Sequence, residues 1–189
     1  MATADTSQRI LDIAERLVQT RGFNGFSYAD IAEAMKVTKA SLHYHFPAKT
    51  DLGKTLIERY ERNLLAALGH IDGASADAAE KLRRYVAIYG DVLGEQRMCL
   101  CGMLAAEFGT LPEPMREALR HYFDANERWL ARVLQQGKRA GTLGFSGTAA
   151  GAAQALIGSL EGAMMLARSY GEPARFKAAS ERLLAELGA

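Results

Sequence analysis

Apolar residues recur at three- and four-residue spacing along nearly the whole chain, and no segment alternates apolar with polar residues over the length of a strand. That periodicity confines the chain to helix packed on helix, an all-α fold. Glycine and proline divide it into nine predicted helices. The first, Thr6–Arg21, carries Ile10, Ala14, Leu17 and Val18 on one face and stops at Gly22. Ser27-Tyr28-Ala29-Asp30 has the form of a capping box and opens a short helix over Tyr28–Met35. Three residues separate it from Lys39–Phe46, which Pro47 ends, because the residue before proline is pushed out of the helical region. A longer helix over Thr50–His70 follows, with Asp72-Gly73-Ala74-Ser75 read as a loop. Further helices are predicted at Ala76–Leu93, Met98–Phe108, Glu113–Arg139, Gly147–Tyr170 and Pro173–Leu187. The expected organisation is a three-helix head, residues 1–48, and a body of about six helices, residues 49–189.

Composition narrows the setting. The chain has 189 residues, with 23 Lys and Arg against 22 Asp and Glu, so any affinity for a polyanion must come from a local patch. Two cysteines two residues apart make no disulfide framework, which fits a cytoplasmic protein. Met1–Asp12 lacks the apolar run of a signal peptide, and no membrane association is expected. The most apolar stretch, Thr148–Ala167, holds Glu161 near its middle, which is costly in lipid, so it reads as a buried helix.

Two short helices joined by a three-residue turn and braced by a third have helix-turn-helix geometry. Val37, Leu42 and Phe46 are placed to hold the inner face of the second short helix, leaving Lys39, Ala40, Ser41, Tyr44 and His45 outward. From Lys36 to Lys54 four lysines face one acid, Asp51, for a local charge of +3. Singly each lysine fits an ordinary solvated face; in this order they form a cationic prong for double-stranded DNA. His43 and His45 point some 200° apart on a helix, so no metal pair is expected.

The run Phe26-Ser27-Tyr28-Ala29-Asp30-Ile31-Ala32, followed by Val37-Thr38-Lys39-Ala40-Ser41-Leu42-His43-Tyr44-His45-Phe46-Pro47-Ala48-Lys49-Thr50-Asp51-Leu52, closely resembles the TetR/AcrR family of bacterial transcriptional regulators. The resemblance implies that Lys39, Ala40 and Ser41 face base edges. It implies phosphate contacts from Thr38, Tyr44, His45 and Lys49, with Ser27 capping near the DNA backbone. Lys36 stands where the family usually has Gly, so either the turn manages without positive φ or the lysine accepts strain. His43 replaces a common Tyr.

One helix-turn-helix is too small to select a site in a genome, so a homodimer on a palindromic operator is expected. Gly147, Gly151, Ala155, Gly158 and Gly162 put small residues about one turn apart on the penultimate helix. Leu156, Leu160, Met164, Leu183, Leu184 and Leu187 supply apolar area there and on the last helix, where the family usually pairs subunits. Cys99, Met103, Phe108, Tyr122, Phe123, Trp129 and Met164 are candidates to line an adaptable cavity, although each also suits a plain core. The resemblance implies a small effector there, with the long helix over Thr50–His70 as lever and repression as the output.

Two alternatives stay open. Cys99 or Cys101, with Arg97 nearby, could make the chain a thiol-based repressor responsive to electrophiles or oxidants; or the helical bundle binds a ligand without DNA. Neither Gly-x-Gly-x-x-Gly, a P-loop, Gly-x-Ser-x-Gly nor His-Glu-x-x-His occurs, so an enzyme is not expected, and no cofactor is called for. Glu107 and Glu161 are isolated acids on apolar helices; either could bind a polar part of a ligand, but a solvated or salt-bridged acid is the better reading for both.

Overall fold

A computed structural model of the chain describes residues 2–189. Among them are nine α-helices and no strand: α1 Ala2–Arg21, α2 Tyr28–Met35, α3 Lys39–His45, α4 Lys49–Ala74, α5 Ala78–Gly94, α6 Leu100–Ala106, α7 Glu113–Ala140, α8 Ala149–Tyr170 and α9 Pro173–Glu186. A single 3₁₀ turn, Phe108–Thr110, follows α6. The helices resolve into two compact units.

The first unit is the chain up to Glu61 together with Leu100–Tyr122. Its core takes Ile10, Leu11, Ala14 and Val18 from α1, Ile31 from α2, Leu42 from α3 and Leu52, Leu56 and Ile57 from α4. Helix α1 packs on α2 and on α6. Gly22 ends α1 at φ 84°. A side chain there would be strained, and its Cβ would lie 2.6 Å from the Glu107 carboxylate. Gly53 allows another close approach: a Cβ on it would come within 2.8 Å of Phe23 and closer still to Met115. Arg59 ties α4 to α1 through Asp12 at 2.6 Å and Glu15 at 2.5 Å.

The second unit comprises Arg62–Cys99 and Phe123–Ala189. Helix α8 packs along α9, and α5 packs against both. Leu82, Tyr85, Val86 and Tyr89 of α5 share this core with Trp129, Leu130, Val133 and Leu134 of α7. Leu156, Ile157, Leu160 and Met164 of α8 and Phe176 of α9 complete it.

Two sequence expectations shift. Asp72-Gly73-Ala74 is helical, the last turn of α4 rather than a loop. Tertiary contacts overrule its composition: Asp72 accepts from Lys81 Nζ at 2.7 Å and from Trp129 Nε1 at 2.9 Å. Helix α3 closes at His45, one residue early, because Phe46 before Pro47 is extended (φ −135°, ψ 94°). The compact units are not the expected head and body, residues 1–48 and 49–189, a division that stays a proposal; α4 and α7 each contribute to both units. No helix among the described residues is long and apolar enough to cross a membrane.

Candidate functional site

The head's two short helices are set by local chemistry. Ser27 Oγ accepts from the Ala29 N–H at 3.2 Å, while Asp30 accepts from the Ser27 N–H at 2.8 Å, so both halves of the capping box form. Those bonds hold the Asp30 carboxyl below the usual carboxylate range, with Arg21 adding to them. The turn to α3 passes through Lys36 at φ 56°, ψ 45°, a left-handed residue. Of the two readings open for Lys36, the strained one holds. Tyr28 fastens α2 to the end of α3 by donating to the Phe46 carbonyl at 2.8 Å, and burial, then Asp51, pushes its hydroxyl up to about 12.

This framing leaves one face of α3 outward. Thr38, Lys39, Ala40 and Tyr44 are exposed, Tyr44 to 78%, and Ser41 and His45 are half-buried. Ser27 is exposed at the start of α2. Leu42 and Phe46 are buried beneath, as expected, but Val37 is 37% exposed and does not belong to the inner face. His43 sits against the Tyr28 ring, with Nδ1 3.1 Å from the Pro47 carbonyl. Among the described residues no cluster of His, Cys, Asp and Glu could hold a metal ion.

Lys49 is not presented outward. Its ammonium turns in to donate to the carbonyls of Phe23 and Phe26 and stands over both rings, 4.5 and 4.2 Å from their centroids. Burial lowers its pKa against the raising influence of Glu107 and Asp30. In this conformation the cation closes the α1–α2 connection, and the phosphate contact expected of Lys49 stays a proposal to be tested. Glu107 closes the same connection from the other side, accepting from the N–H of Phe23 at 2.6 Å and of Asn24 at 3.3 Å. It is half-buried, and backbone amides rather than a salt bridge hold its carboxylate.

The residues expected to line an effector cavity divide between the units. Met103, Phe108 and Tyr122 belong to the first, and Cys99, Phe123, Trp129 and Met164 to the second. Phe108 is 37% exposed, its ring faced by Arg116 and Arg120, so it lines no enclosed pocket. Tyr122 is buried with its ring 5.7 Å from that of Tyr60. In the second unit Trp129 stacks on Tyr85 at 5.6 Å. Tyr85 donates to Asn126 Oδ1 at 3.0 Å and lies 2.9 Å from the Tyr89 hydroxyl. Burial raises both tyrosine pKa values, so each hydroxyl stays neutral.

Beside this centre sits Glu161 of α8. Both of its oxygens are shut off from water and accept no hydrogen bond from any N–H or O–H among the described residues. The Cys99 thiol, a weak donor, is its polar neighbour, and burial pushes its carboxyl up to about 7. Glu161 is thus not the solvated or salt-bridged acid expected from sequence. Tyr85, Tyr89 and Asn126 were not anticipated either; their buried positions on α5 and α7 were legible only as core. Cys99 precedes α6 rather than sharing it with Cys101, and both are buried. Arg97 pairs with Glu95, and the polar neighbour of Cys99 is a carboxylate, a poor setting for an activated thiolate.

On α8, Gly151, Ala155 and Gly158 are exposed, and Gly162 is half-buried, as are Leu183 and Leu187 beyond them. A shallow groove of about 340 Å³ runs between α8 and α9, lined by Phe145, Ala155, Leu156, Leu183 and Leu187. Leu156, Leu160, Met164 and Leu184 are buried inside the unit and offer little outward area. Exposed apolar surface comes instead from Met165, Leu166 and Tyr170.

Residues 10–54 match the model described as bacterial regulatory proteins, tetR family, and residues 78–183 match a tetracyclin repressor-like C-terminal domain. Among solved structures, a TetR-family transcriptional regulator from Agrobacterium tumefaciens superposes with a TM-score of 0.95 at 32% identity, over 99% of this chain and all of that one. A TetR regulator from Legionella pneumophila gives a TM-score of 0.88 at 33% identity, over 96% and 97% of the two chains. Transcriptional regulator AcuR of Cereibacter sphaeroides is 29% identical over 78% of this chain and 69% of its own length.

Proposed function

The chain belongs to the TetR family of bacterial regulatory proteins, a DNA-binding transcriptional regulator, and from that premise we propose that it is a cytoplasmic homodimeric repressor of a palindromic operator, released by a small apolar or amphipathic effector. The observation that carries the DNA-reading part is the outward face of α3, where Lys39, Ala40 and Tyr44 are exposed while Leu42 is buried. A helix must stand proud in this way to enter a major groove about 12 Å wide. Lys39, Ala40 and Ser41, on its first turn, are assigned to base edges. Thr38, Tyr44 and His45, with Ser27 at the start of α2, are assigned to phosphates.

For the homodimer, support comes from the exposed small residues of α8 and the apolar side chains of Met165, Leu166 and Tyr170 beside them. For the effector, it comes from the second unit, where Glu161, Cys99, Tyr85 and Trp129 put polar and aromatic groups into one interior. A ligand there releases DNA only if it binds the non-DNA-competent arrangement better than the competent one. The α4 helix, which contributes to both units, is the assigned lever.

Selection of duplexes from a random pool by the full chain tests this reading. Two half-sites are expected about one helical turn, or a multiple, apart. Affinity should fall steeply with salt, and Tyr44→Ala should weaken all sequences alike, whereas Lys39→Ala and Ser41→Ala should also change base preference. Failure to retain any duplex at low salt would overturn the proposal.

A further inference from the structure

Glu161 presents an unmet demand. A carboxylate removed from water is stable only beside a cation or several hydrogen-bond donors. Its two tyrosine neighbours, Tyr85 and Tyr89, cannot meet that demand, because their hydroxyl hydrogens are already engaged. The Tyr85 hydroxyl donates to Asn126 Oδ1, the Tyr89 hydroxyl lies on Tyr85, and Asn126 Nδ2 lies 3.4 Å from the Tyr89 hydroxyl, a closed ring of three groups. The Cys99 thiol is all that this part of the interior offers to the carboxylate. Tyr85 and Tyr89, whose rings meet edge-on at 5.4 Å, interact electrostatically with it, Trp129 stacks on Tyr85 in turn, and aromatic faces attract cations. Glu161 as a residue is only half-buried, so its stem reaches the surface of α8 while the oxygens point inward.

We propose that Glu161 is the anchor of a ligand site in the second unit, and that the ligand is an ammonium compound, a protonated primary or secondary amine with an apolar substituent. The N–H groups would fill the carboxylate's empty acceptor positions, and the substituent would lie among the Tyr85, Tyr89 and Trp129 rings. This deepens the effector reading above and rests on it only for the claim that binding releases DNA.

The titratable groups facing the carboxyl are Tyr85 and Tyr89 of α5 and Cys99 ahead of α6; the tyrosines remain neutral throughout the range used. With no ligand the carboxyl holds its proton below about pH 7 and must release it to pair with an ammonium. Apparent affinity should therefore fall about tenfold per pH unit below 7 and level off above it.

The test uses the full chain with a series of primary amines from methylamine to hexylamine, and benzylamine, read by calorimetry and thermal shift. Benzyl alcohol and benzoate are the matched neutral and anionic probes. Some amine should bind the wild type with the stated pH profile, the alcohol at least tenfold more weakly and benzoate not at all. Glu161→Gln, a neutral isostere, should lose at least tenfold in amine affinity, while Glu181→Gln, an exposed carboxylate of α9, should not. If no amine binds the wild type, or if Glu161→Gln binds amines as well as the wild type does, the ammonium site is overturned. Release of the selected duplex is read separately. An amine bound through Glu161 with the duplex still held supports the site and removes the effector role alone.

Discussion

Lys49 in the first unit and Glu161 in the second are both ionisable groups drawn away from water, and the chain treats them in opposite ways. Around Lys49 the partners are supplied in full: two carbonyls, two aromatic faces, and Glu107 close enough to raise its pKa. Around Glu161 they are withheld, and the carboxyl responds by moving its pKa toward neutrality. A group with its partners built in fixes a shape. One without them waits for a proton or a ligand. On the proposed function, the contrast puts rigidity in the unit that would present α3 to a groove, and responsiveness in the unit that would take an effector.

The largest expected effect breaks or keeps the Glu161 side of that contrast. Its folded pKa, about 7, lies above the ordinary glutamate value of 4.5, so the folded state holds a proton that the unfolded state releases between these values. Stability should then fall as pH rises from about 4.5 to 7 and stay low above that, by about 3 kcal/mol. Denaturant melts at pH 5 and pH 8 should show that loss in the wild type and not in Glu161→Gln. Equal losses in both proteins would mean that the carboxylate is stabilised after all.

The Glu107 side comes next. Glu107→Ala leaves the N–H groups of Phe23 and Asn24 without their acceptor, and should cost about 2 kcal/mol in a denaturant melt. For Lys49, Lys49→Met keeps the stem and removes the charge. It should lower stability by about 1–2 kcal/mol. Duplex affinity should fall only at temperatures where the variant begins to unfold. A loss of affinity with an unchanged melting temperature would assign Lys49 to the phosphate contacts. The smallest effect sharpens the picture of the turn: Lys36→Gly relieves a left-handed lysine and should raise stability by about 1 kcal/mol.

What was legible in the sequence depended on distance along the chain. The Ser27–Asp30 capping box, the stop at Gly22 and the break at Pro47 are written within four residues, and the structure forms each of them. The end of α4 was misread because Asp72 is held by Lys81 and by Trp129, 57 residues away. The contacts of Lys49 and Glu107 were not legible for the same reason, since their partners lie 26 and 84 residues upstream. Glu161 was harder still. Helical periodicity places it on α8 but says nothing of which way its carboxylate turns, and only the ring formed by Tyr85, Tyr89 and Asn126 makes its isolation visible.

The turn at Lys36 carries a consequence of its own. Glycine there would relax the backbone, yet it would end at the Cα and contribute nothing to the electric field ahead of α3. A lysine in the left-handed well keeps an exposed side chain with its ammonium three residues before Lys39. Distant phosphates would feel that charge before any contact forms, so the strained corner should show itself in how fast the protein finds DNA rather than in how long it stays.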